Sequence, residues 1–409
     1  MGSRLSTPAA CVAAVVFACG AALSSQWLKP PHASYSYVEI QRLPLSSVAG
    51  RLSEYSDEPL ILTGLAEYGL GEPPCVSTGG WLDWLARFGE DGPAEGWRAW
   101  IMSPGGVNKW AGLGGKHEVV DSRYLAESFA RSADAGELRW AQVVVNQKAR
   151  LTARGRAHSD AIRAYMRSVL EAAGLRDLLL EASGTRDGDA SIAENAFGSL
   201  VPPGAAGDGQ RAPPLARYPT VLVSTDRLRT RAHVDKDHGS FATVMCSGRK
   251  RWVVLCHEEL RSALAREAPA PAKRRTRTPL GDTPYPDHWP DLHDYARALR
   301  ESDAQHPLRA ARVFEGELGP DELLYVPKGA AHGAESLGHA VMVSHTFIDA
   351  SPCGAQRSLD FWRYTCAVKP DRLLGLFTIN DGREGGRELC RRYLLVLEAE
   401  AAASNCTAW

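Results

Sequence analysis

The sequence predicts an α+β fold in which a mainly β core is flanked by helical segments. Three observations support this class. The composition, with 44% hydrophobic and 23% charged residues, is typical of a globular protein. Short runs of β-forming residues follow one another from Tyr218 to Ile348. Apolar residues recur at helical spacing before and after those runs.

The length and charge limit the organisation and the partners. A chain of 409 residues can form one large domain or two ordinary ones. The 47 basic and 48 acidic side chains nearly cancel. No global field would therefore attract the protein to nucleic acid, and we expect no direct nucleic-acid binding.

Residues 1–24 have the features of a signal peptide or signal anchor, and residues 25–36 follow as a linker. Arg4 precedes an apolar run from Ala9 to Leu23. This run is shorter than the roughly 20 residues of a transmembrane helix, which favours a cleaved signal over an uncleaved anchor. We expect the secretory pathway, in the endoplasmic reticulum lumen. The alternatives are a membrane-anchored protein, or a cytosolic one, because the first six residues also fit an N-myristoylation pattern.

The nine cysteines have no regular spacing, so the sequence predicts neither a disulfide framework nor a zinc motif. Cys366, Cys390 and Cys406 lie close together near the end of the chain. They could form one bridge in an oxidising compartment, or remain free.

Residues 37–217 are predicted to form an α/β support region in which strands alternate with helices. The predicted strands are Tyr37–Ile40 and Pro59–Gly64, and the predicted helices are Val48–Tyr55, Trp81–Phe88 and Asp160–Ala182. Residues 183–216 within this region are rich in Gly, Ala, Pro and Asp, which predicts a flexible surface loop.

Residues 218–349 are predicted to form the β core. Its predicted strands are Thr220–Ser224, Phe241–Cys246, Arg251–Cys256, Glu322–Val326 and Ala340–Ile348. The core is interrupted by an insertion at residues 261–307, which contains the aromatic segment Tyr285–Trp289. Insertions of this length are usually functional or mobile.

Residues 350–409 are predicted to be a helical C-terminal region. Apolar residues form a stripe from about Gly385 to Ala403. This stripe could pack on the core or form a homodimer.

Three residues from two segments form a candidate metal site. His233 and Asp235 are two residues apart in an extended segment, so strand alternation directs both side chains to the same side. His332 follows a turn, an apolar strand and a Pro/Gly turn, and would arrive from a later strand. Two histidines and one carboxylate make a facial triad, which leaves positions open on iron.

Lys250 is a candidate for binding an anion near that metal. It lies in the β-type run Gly248–Leu255. A buried lysine without an anion would be costly, so an anionic chelator of the metal is a natural partner. The alternative is an ordinary solvated lysine at the end of a strand.

These segments resemble the jumonji-C (JmjC) hydroxylases, particularly the branch related to the phosphatidylserine-receptor protein and the translation-factor lysyl hydroxylase. In that branch a cation for 2-oxoglutarate follows the first iron histidine by seventeen positions, within a Gly-x-Lys-[Arg/Lys]-Trp segment. Lys250 follows His233 by seventeen positions and lies in such a segment. Thr230 matches a hydroxyl residue three positions before that histidine.

The resemblance continues after the distal histidine. Ser344 falls twelve positions after His332, where the family has a polar residue near 2-oxoglutarate, and Thr346 lies on the same strand face. The resemblance thus implies that Lys250, Thr230, Ser344 and Thr346 bind the co-substrate.

The sequence departs from the family at three places. Ala330 and Ala331 stand where bulky aromatic residues are usual, which implies a wider pocket wall. Ser336 replaces an asparagine, and Thr243 replaces an asparagine that some members carry. These departures affect the expected 2-oxoglutarate contacts more than the metal site.

Four other residues near the site compete as ligands. Asp237 and His238 lie in a segment that has the composition of a turn. His339 and His345 flank the last strand of the core, and His345 alternates away from Ser344, which predicts a surface or opposite-face histidine.

The resemblance implies a double-stranded β-helix, the jelly-roll or cupin-like JmjC barrel, over residues 218–349. It implies an enzyme that uses Fe(II), 2-oxoglutarate and O2 to hydroxylate a Lys, Arg or Asn side chain of a protein substrate, with release of succinate and CO2. Removal of N-methyl groups is a further outcome of the same chemistry. The expected substrate entrance is near Tyr285–Trp289. The alternatives are a catalytically inactive cupin-like binding module and a small-molecule oxygenase.

Overall fold

A computed structural model describes the chain in segments. The described residues are 37–52, 57–76, 97–101, 117–119, 126–127, 129–131, 139–144, 153–177, 219–235, 239–266, 285–286, 289, 291–294, 308, 311–368 and 382–403. The predicted targeting segment and linker, the helix at Trp81–Phe88, the loop at 183–216 and most of the insertion at 261–307 lie outside them. In the described segments, no helix combines the length and the apolar character needed to cross a membrane.

The described chain is mixed α/β. Its strands are β1 (Tyr37–Glu39), β2 (Gln41–Pro44), β3 (Leu60–Thr63), β4 (Trp97–Ile101), β5 (His117–Val119), β6 (Arg139–Val144), β7 (Thr220–Ser224), β8 (Arg229–His233), β9 (Ser240–Ser247), β10 (Lys250–Leu255), β11 (Val313–Leu318), β12 (Glu322–Val326), β13 (Ala331–Ser336) and β14 (Ala340–Phe347). Its helices are α1 (Leu45–Val48), α2 (Ala153–Ala173), α3 (His257–Arg266), α4 (Pro352–Val368) and α5 (Gly382–Ala403).

The strands form two sheets. A five-stranded sheet has the order β1-β11-β10-β13-β8, and a nine-stranded sheet has the order β2-β3-β12-β9-β14-β7-β6-β4-β5. Both sheets are mixed, because β1 pairs with β11 and β2 pairs with β3 in parallel while the other pairs are antiparallel. Four strands of the five-stranded sheet each have a sequence neighbour in the nine-stranded sheet. These pairs are β11/β12, β10/β9, β13/β14 and β8/β7, and their members occur in the same order across both sheets.

The turns that join these four pairs lie at one end of the two sheets. The backbone N–H of Leu337 donates to the carbonyl of Arg249 at 2.9 Å, and the N–H of Arg227 donates to the carbonyl of Ser336 at 2.9 Å. Gly248 has a φ of +75°, and a Cβ there would lie 2.0 Å from the carbonyl oxygen of His339. Only glycine fits so close an approach. We call this end the turn end.

The two sheets pack face to face over an apolar core. Strand alternation directs Trp252, Val254 and Phe314 of the five-stranded sheet towards Phe241 and Met342 of the nine-stranded sheet. We call the surfaces that meet in this core the inner faces of the two sheets.

The outer faces are covered by helices. Helix α2 packs Ile162, Met166 and Val169 against Val221 and Val244 of the nine-stranded sheet. On the other side, α3 packs against the outer face of the five-stranded sheet through Leu260 and Ala263. Helices therefore pack on the outer face of each sheet, on the side away from the apolar core between the sheets.

Two predicted helices have different bounds in the structure. The helix predicted at Asp160–Ala182 begins at Ala153 and ends at Ala173, because Gly174 adopts the left-handed conformation that terminates helices. Of the helix predicted at Val48–Tyr55, Val48 is the last residue of the short α1, and Gly50 in the turn that follows has a positive φ. Residues 53–56 lie outside the described chain.

The cysteines form more bridges than the sequence predicted. Cys75 is bonded to Cys246, and Cys366 is bonded to Cys390. Cys353 is also disulfide-bonded. The predicted bridge among the last cysteines is thus confirmed in part by the Cys366–Cys390 pair, which joins α4 to α5. The Cys75–Cys246 bridge was not predicted, because a bridge between residues 171 positions apart leaves no local pattern in the sequence.

The amphipathic stripe of α5 packs within the molecule. Tyr393 and Leu397 contact a cluster that includes Leu359 and Trp362 of α4. Leu395 remains 52% exposed. The described part of the stripe therefore packs against α4, and the homodimer stays a prediction.

Candidate metal centre

His233, Asp235 and His332 meet at the end of the sheets opposite the turn end. His233 is the last residue of β8, and it lies directly opposite His332 of β13 in the strand register. The two ring centroids are 4.5 Å apart. Asp235 Oδ1 is 3.6 Å from His233 Nε2. One ligand atom from each of the three residues lies within 4.8 Å of the others, so a single metal ion could be held between them.

Backbone carbonyls orient both imidazoles. His233 Nδ1 is 2.8 Å from the carbonyl oxygen of Arg231, and His332 Nδ1 is 3.1 Å from that of Ala330. Each Nδ1–H can donate to its carbonyl, which leaves the Nε2 lone pair for a metal. The same arrangement is made twice, on two neighbouring strands.

His332 is held in the neutral form that binds metals. Burial lowers the pKa of His332 to about 4, with a smaller lowering from His233 and an opposing contribution from Asp235. Its ring centroid is 4.6 Å from that of Phe241, on the facing sheet. A neutral imidazole does not have to lose a proton before it coordinates a cation.

Lys250 is buried on the inner face of the five-stranded sheet. It is only 3% exposed, so the alternative of a solvated lysine is wrong. Burial lowers the pKa of its ammonium group to about 7. Within the described segments no carboxylate forms an ion pair with it. A bound anion would favour the charged form of this lysine.

The strand register places Lys250 and the metal ligands on one face. On β10, Val254 lies opposite His332 and Lys250 lies opposite Ser336. Residues at even spacing along a strand share a face, so Lys250 and His332 both point to the inner side. On this face, Lys250 lies at the turn end and His332 lies at the opposite end.

A register irregularity brings Thr230 to the same face as His233. In a regular strand, residues three apart would point to opposite sides. The register shifts between β8 and β13, so that His233 pairs with His332 while Thr230 pairs with Ala334. The Thr230 hydroxyl accepts from the N–H of Ala334 at 2.9 Å and donates to the carbonyl of Ala334 at 3.2 Å. Thr230 thus also closes the gap that the irregularity leaves in the ladder.

Ser344 and Thr346 lie on the inner face of the nine-stranded sheet, opposite the metal ligands. They are two and four residues after Met342, which belongs to the core between the sheets, so all three side chains share one face. Thr346 pairs with Phe241 at the end opposite the turn end, and Ser344 pairs with Thr243 closer to the turn end. The Thr243 hydroxyl donates to Ser344 Oγ at 3.3 Å. The structure therefore adds Thr243 to the polar residues of the inner face.

Two further inner-face features were missed by the sequence. Trp252 lies between Lys250 and Val254 on β10, and its indole nitrogen is buried without a hydrogen-bond partner among the described residues. At the turn end, Ser224 Oγ and Ser336 Oγ are 2.7 Å apart and buried. The alternation of Trp252 with Lys250 was a signal that could have indicated the first of these.

The rival ligands are not part of the cluster as far as the structure describes them. His345 lies on the outer face, as predicted, but it is buried rather than at the surface, with Nε2 2.5 Å from Asp177 Oδ2. It is buried because α2 and the residues after it cover this face. His339 lies in the β13–β14 turn, where its Nδ1 accepts from the N–H of Asp226 at 3.3 Å. Asp237 and His238 lie outside the described residues.

The described part of the aromatic insertion packs on the outer face of β8. The substrate entrance was expected near this insertion. Tyr285 and Trp289 are buried in a cluster with Ala232 and Val253, on the outer face of the five-stranded sheet. The carbonyl of Trp289 accepts from Arg231 Nη2 at 3.0 Å. These two aromatic residues therefore support β8 and do not line the space between the sheets.

No known protein-family model matches the chain, and a search of curated proteins gives no match. The chemical argument therefore depends on the arrangement of the residues. Two oriented imidazoles and one carboxylate can bind a divalent cation through three protein ligands, with a buried lysine and several hydroxyl groups on the adjoining inner faces.

Proposed function

We propose that this protein is an iron(II)- and 2-oxoglutarate-dependent oxygenase of the jumonji-C type. One observation supports this proposal most strongly. His233 and His332 of the metal cluster lie on the same inner face of one sheet as Lys250, a buried lysine that forms no ion pair within the described segments. A metal chelated by a dicarboxylate would use both features at once.

The donor set fits iron(II). Two neutral imidazoles and one carboxylate are the ligands of non-haem iron oxygenases, in which three positions stay open. A structural zinc site would use four protein ligands and commonly thiolates. Cys256, the free cysteine of the described chain, is buried and is not in the cluster. In this proposal His233, Asp235 and His332 hold the iron.

The polar groups of the inner faces fit 2-oxoglutarate. Lys250 would bind the far carboxylate, with Thr230, Ser344 and Thr346 as further polar contacts. When bound, iron and 2-oxoglutarate supply oxygen activation coupled to decarboxylation, so that a C–H bond is hydroxylated and succinate and CO2 are released. The apolar side chains between the sheets exclude water from this chemistry.

The proposed family implies that the two sheets form a double-stranded β-helix, or jelly roll. Four consecutive strand pairs that alternate between the sheets, with their turns at one end, support this assignment. Trp252, Phe241 and their neighbours would then fill the barrel interior.

We further propose that the protein acts in the secretory pathway on the Lys, Arg or Asn side chain of a protein. The Cys75–Cys246 and Cys366–Cys390 bridges support an oxidising compartment, because disulfides persist there and are rare in the cytosol. Lumenal or secreted proteins are then the natural substrates, and histones are not.

The test is succinate release from 2-oxoglutarate by purified protein with iron(II), ascorbate and oxygen. We expect iron-dependent turnover that His233→Ala abolishes and that the control variant His339→Ala retains. A fraction rich in lumenal proteins should increase the rate. Stimulation by small molecules alone would favour a small-molecule oxygenase.

Two outcomes would contradict the proposal. Folded protein that neither binds iron nor releases succinate would favour a binding module with a decayed site. Wild-type turnover by purified His233→Ala would show that the metal ligands are misassigned.

A further inference from the structure

The indole of Trp252 is a hydrogen-bond donor for which the described chain supplies no acceptor. Trp252 is 4% exposed, and its Nε1 has no hydrogen-bond partner within the described segments. Indole nitrogen donates and cannot accept, and nearly all buried donors in proteins are satisfied. An acceptor is therefore expected from a bound molecule.

Trp252 lies between the metal ligands and the buried lysine. On β10 it lies opposite Ala334, between the Lys250–Ser336 pair and the Val254–His332 pair. Its ring centroid is 6.2 Å from that of His332 and 5.7 Å from that of Phe241. A molecule that reaches from the metal ligands to Lys250 along this face has to pass Trp252.

The aromatic neighbours of Trp252 cannot accept its hydrogen bond. Phe241 has no polar atom. The Nδ1 of His332 is engaged with the carbonyl of Ala330, and its Nε2 belongs to the cluster with His233 and Asp235. An oxygen of a molecule bound at that cluster can serve as the acceptor.

We propose that Trp252 Nε1–H donates a hydrogen bond to a carboxylate oxygen at the keto-acid end of a bound 2-oxo acid. Trp252 is thus a specificity-determining residue that favours 2-oxo acids over neutral carbonyl compounds. The inference rests on the proposed function, because it deepens the account of the same site. Lys250 and Trp252 then have separate roles, one at the far carboxylate and one at the end beside His332.

The test is calorimetric titration of Mn(II)-loaded protein with 2-oxo acids in the absence of iron. Trp252→Phe removes the N–H and keeps an aromatic ring. We expect it to bind 2-oxoglutarate about tenfold more weakly, with unchanged affinity for Mn(II). The matched control is Trp362→Phe, which changes a tryptophan of α4 that is also buried, at 3% exposed, but packs against α5. This control should bind as the wild type does.

A second ligand distinguishes the contribution of Trp252 from that of Lys250. 2-Oxobutanoate has the keto-acid end and lacks the far carboxylate. Trp252→Phe should weaken 2-oxobutanoate by the same factor as 2-oxoglutarate, whereas Lys250→Met should weaken 2-oxoglutarate alone. Equal weakening of both ligands by Lys250→Met, with no effect of Trp252→Phe, would overturn the assignment.

The wild-type protein provides a test that needs no substitution. In protein labelled with ¹⁵N at the indole nitrogens, Mn(II) should broaden the Trp252 signal through its closeness to the cluster. In the Zn(II) form the same signal should shift downfield when 2-oxoglutarate is added. An indole spectrum that 2-oxoglutarate leaves unchanged would overturn the inference, even where Trp252→Phe fails to fold.

The failure of this inference differs from failure of the proposed function. Wild-type affinity for 2-oxoglutarate in folded Trp252→Phe overturns the role of Trp252 and leaves the oxygenase proposal intact. Metal-loaded wild-type protein that binds no 2-oxo acid overturns both.

Discussion

At the scale of single residues, the site consists of polar groups of two kinds. Some have hydrogen-bond partners in the chain, and others await a partner from a ligand. The Nδ1 atoms of His233 and His332 are engaged by backbone carbonyls, so that their Nε2 atoms are left for a metal. The buried indole N–H of Trp252 has no hydrogen-bond partner in the described chain, and buried Lys250 forms no ion pair there. Such groups destabilise the ligand-free protein and bind the ligand without further rearrangement.

Lys250→Met is predicted to stabilise the ligand-free protein and to abolish 2-oxoglutarate binding. Burial lowers the pKa of Lys250 in the folded state from 10.5 to about 7. The unfolded chain therefore binds more protons between these values, so the destabilising effect of Lys250 is complete below pH 7 and disappears as the pH approaches 10.5. At pH 6 we expect a gain of at least about 1 kcal/mol in the free energy of unfolding.

Urea denaturation of metal-free protein at pH 6 and pH 9 measures this effect, and the gain should be larger at pH 6. The matched control is Lys328→Met, which changes a lysine that lies 5.8 Å from the ring of Phe361, outside the inner faces. A Lys250→Met protein that is less stable than the wild type at pH 6, with unchanged 2-oxoglutarate affinity, would show that Lys250 is a structural residue.

At the scale of elements, the site is built where two strands approach more closely than usual. Gly333 of β13 faces β8 at the register irregularity, and a Cβ on it would lie 2.9 Å from the carbonyl oxygen of Thr230. The strand β13 is flanked by β8 and β10, so it has little room to move. Glycine at this position permits the pairing that sets His233 opposite His332.

Gly333→Ala is predicted to separate β8 from β13 and to weaken metal binding. Overpacking of this kind costs about 1–3 kcal/mol of stability. We expect that loss in thermal denaturation, together with weaker Mn(II) binding in calorimetry. The control is Gly319→Ala, because a Cβ on Gly319 would have its nearest contact at 3.6 Å. Wild-type metal affinity in folded Gly333→Ala would show that the spacing of the two strands is not critical.

Apolar strands could be predicted from the sequence, whereas polar strands could not. The predicted bounds of β7 and β12 are those of the structure, because both strands are runs of branched and apolar residues. β13 was missed because Ala331–Ser336 consists of small and polar residues. Its strand conformation comes from pairing with neighbours on both sides, which are distant in sequence. Local propensity contains no information about such pairing.

At the scale of the whole molecule, distant segments are joined into one support for the site. The Cys75–Cys246 bridge ties the segment after β3 to β9, across 171 positions of sequence. The metal ligands and Lys250 could be proposed from the sequence, because their spacing within and between strands is short-range or matches a known pattern. The disulfide pairing, the bulge at Thr230 and the role of the aromatic insertion depend on contacts between distant segments, and they needed the structure.

The double variant Cys75→Ser, Cys246→Ser is predicted to lose stability while retaining the site. A bridge that closes a long loop contributes about 2–5 kcal/mol. Urea denaturation should show this loss for the variant, and reductant should destabilise the variant less than the wild type. The double variant Cys366→Ser, Cys390→Ser provides a comparison with a shorter loop of 24 positions, and its loss should be smaller. Equal stability of the wild type and the Cys75→Ser, Cys246→Ser variant would contradict a supporting role for the long bridge.

The most direct test of the central claim is anaerobic equilibrium dialysis with iron(II), followed by titration with 2-oxoglutarate. The account predicts one iron per wild-type chain, at least about a hundredfold loss of iron affinity in Asp235→Ala, and 2-oxoglutarate binding that requires both the metal and Lys250. Iron that binds Asp235→Ala as tightly as the wild type, or 2-oxoglutarate that binds equally well without metal, would contradict it.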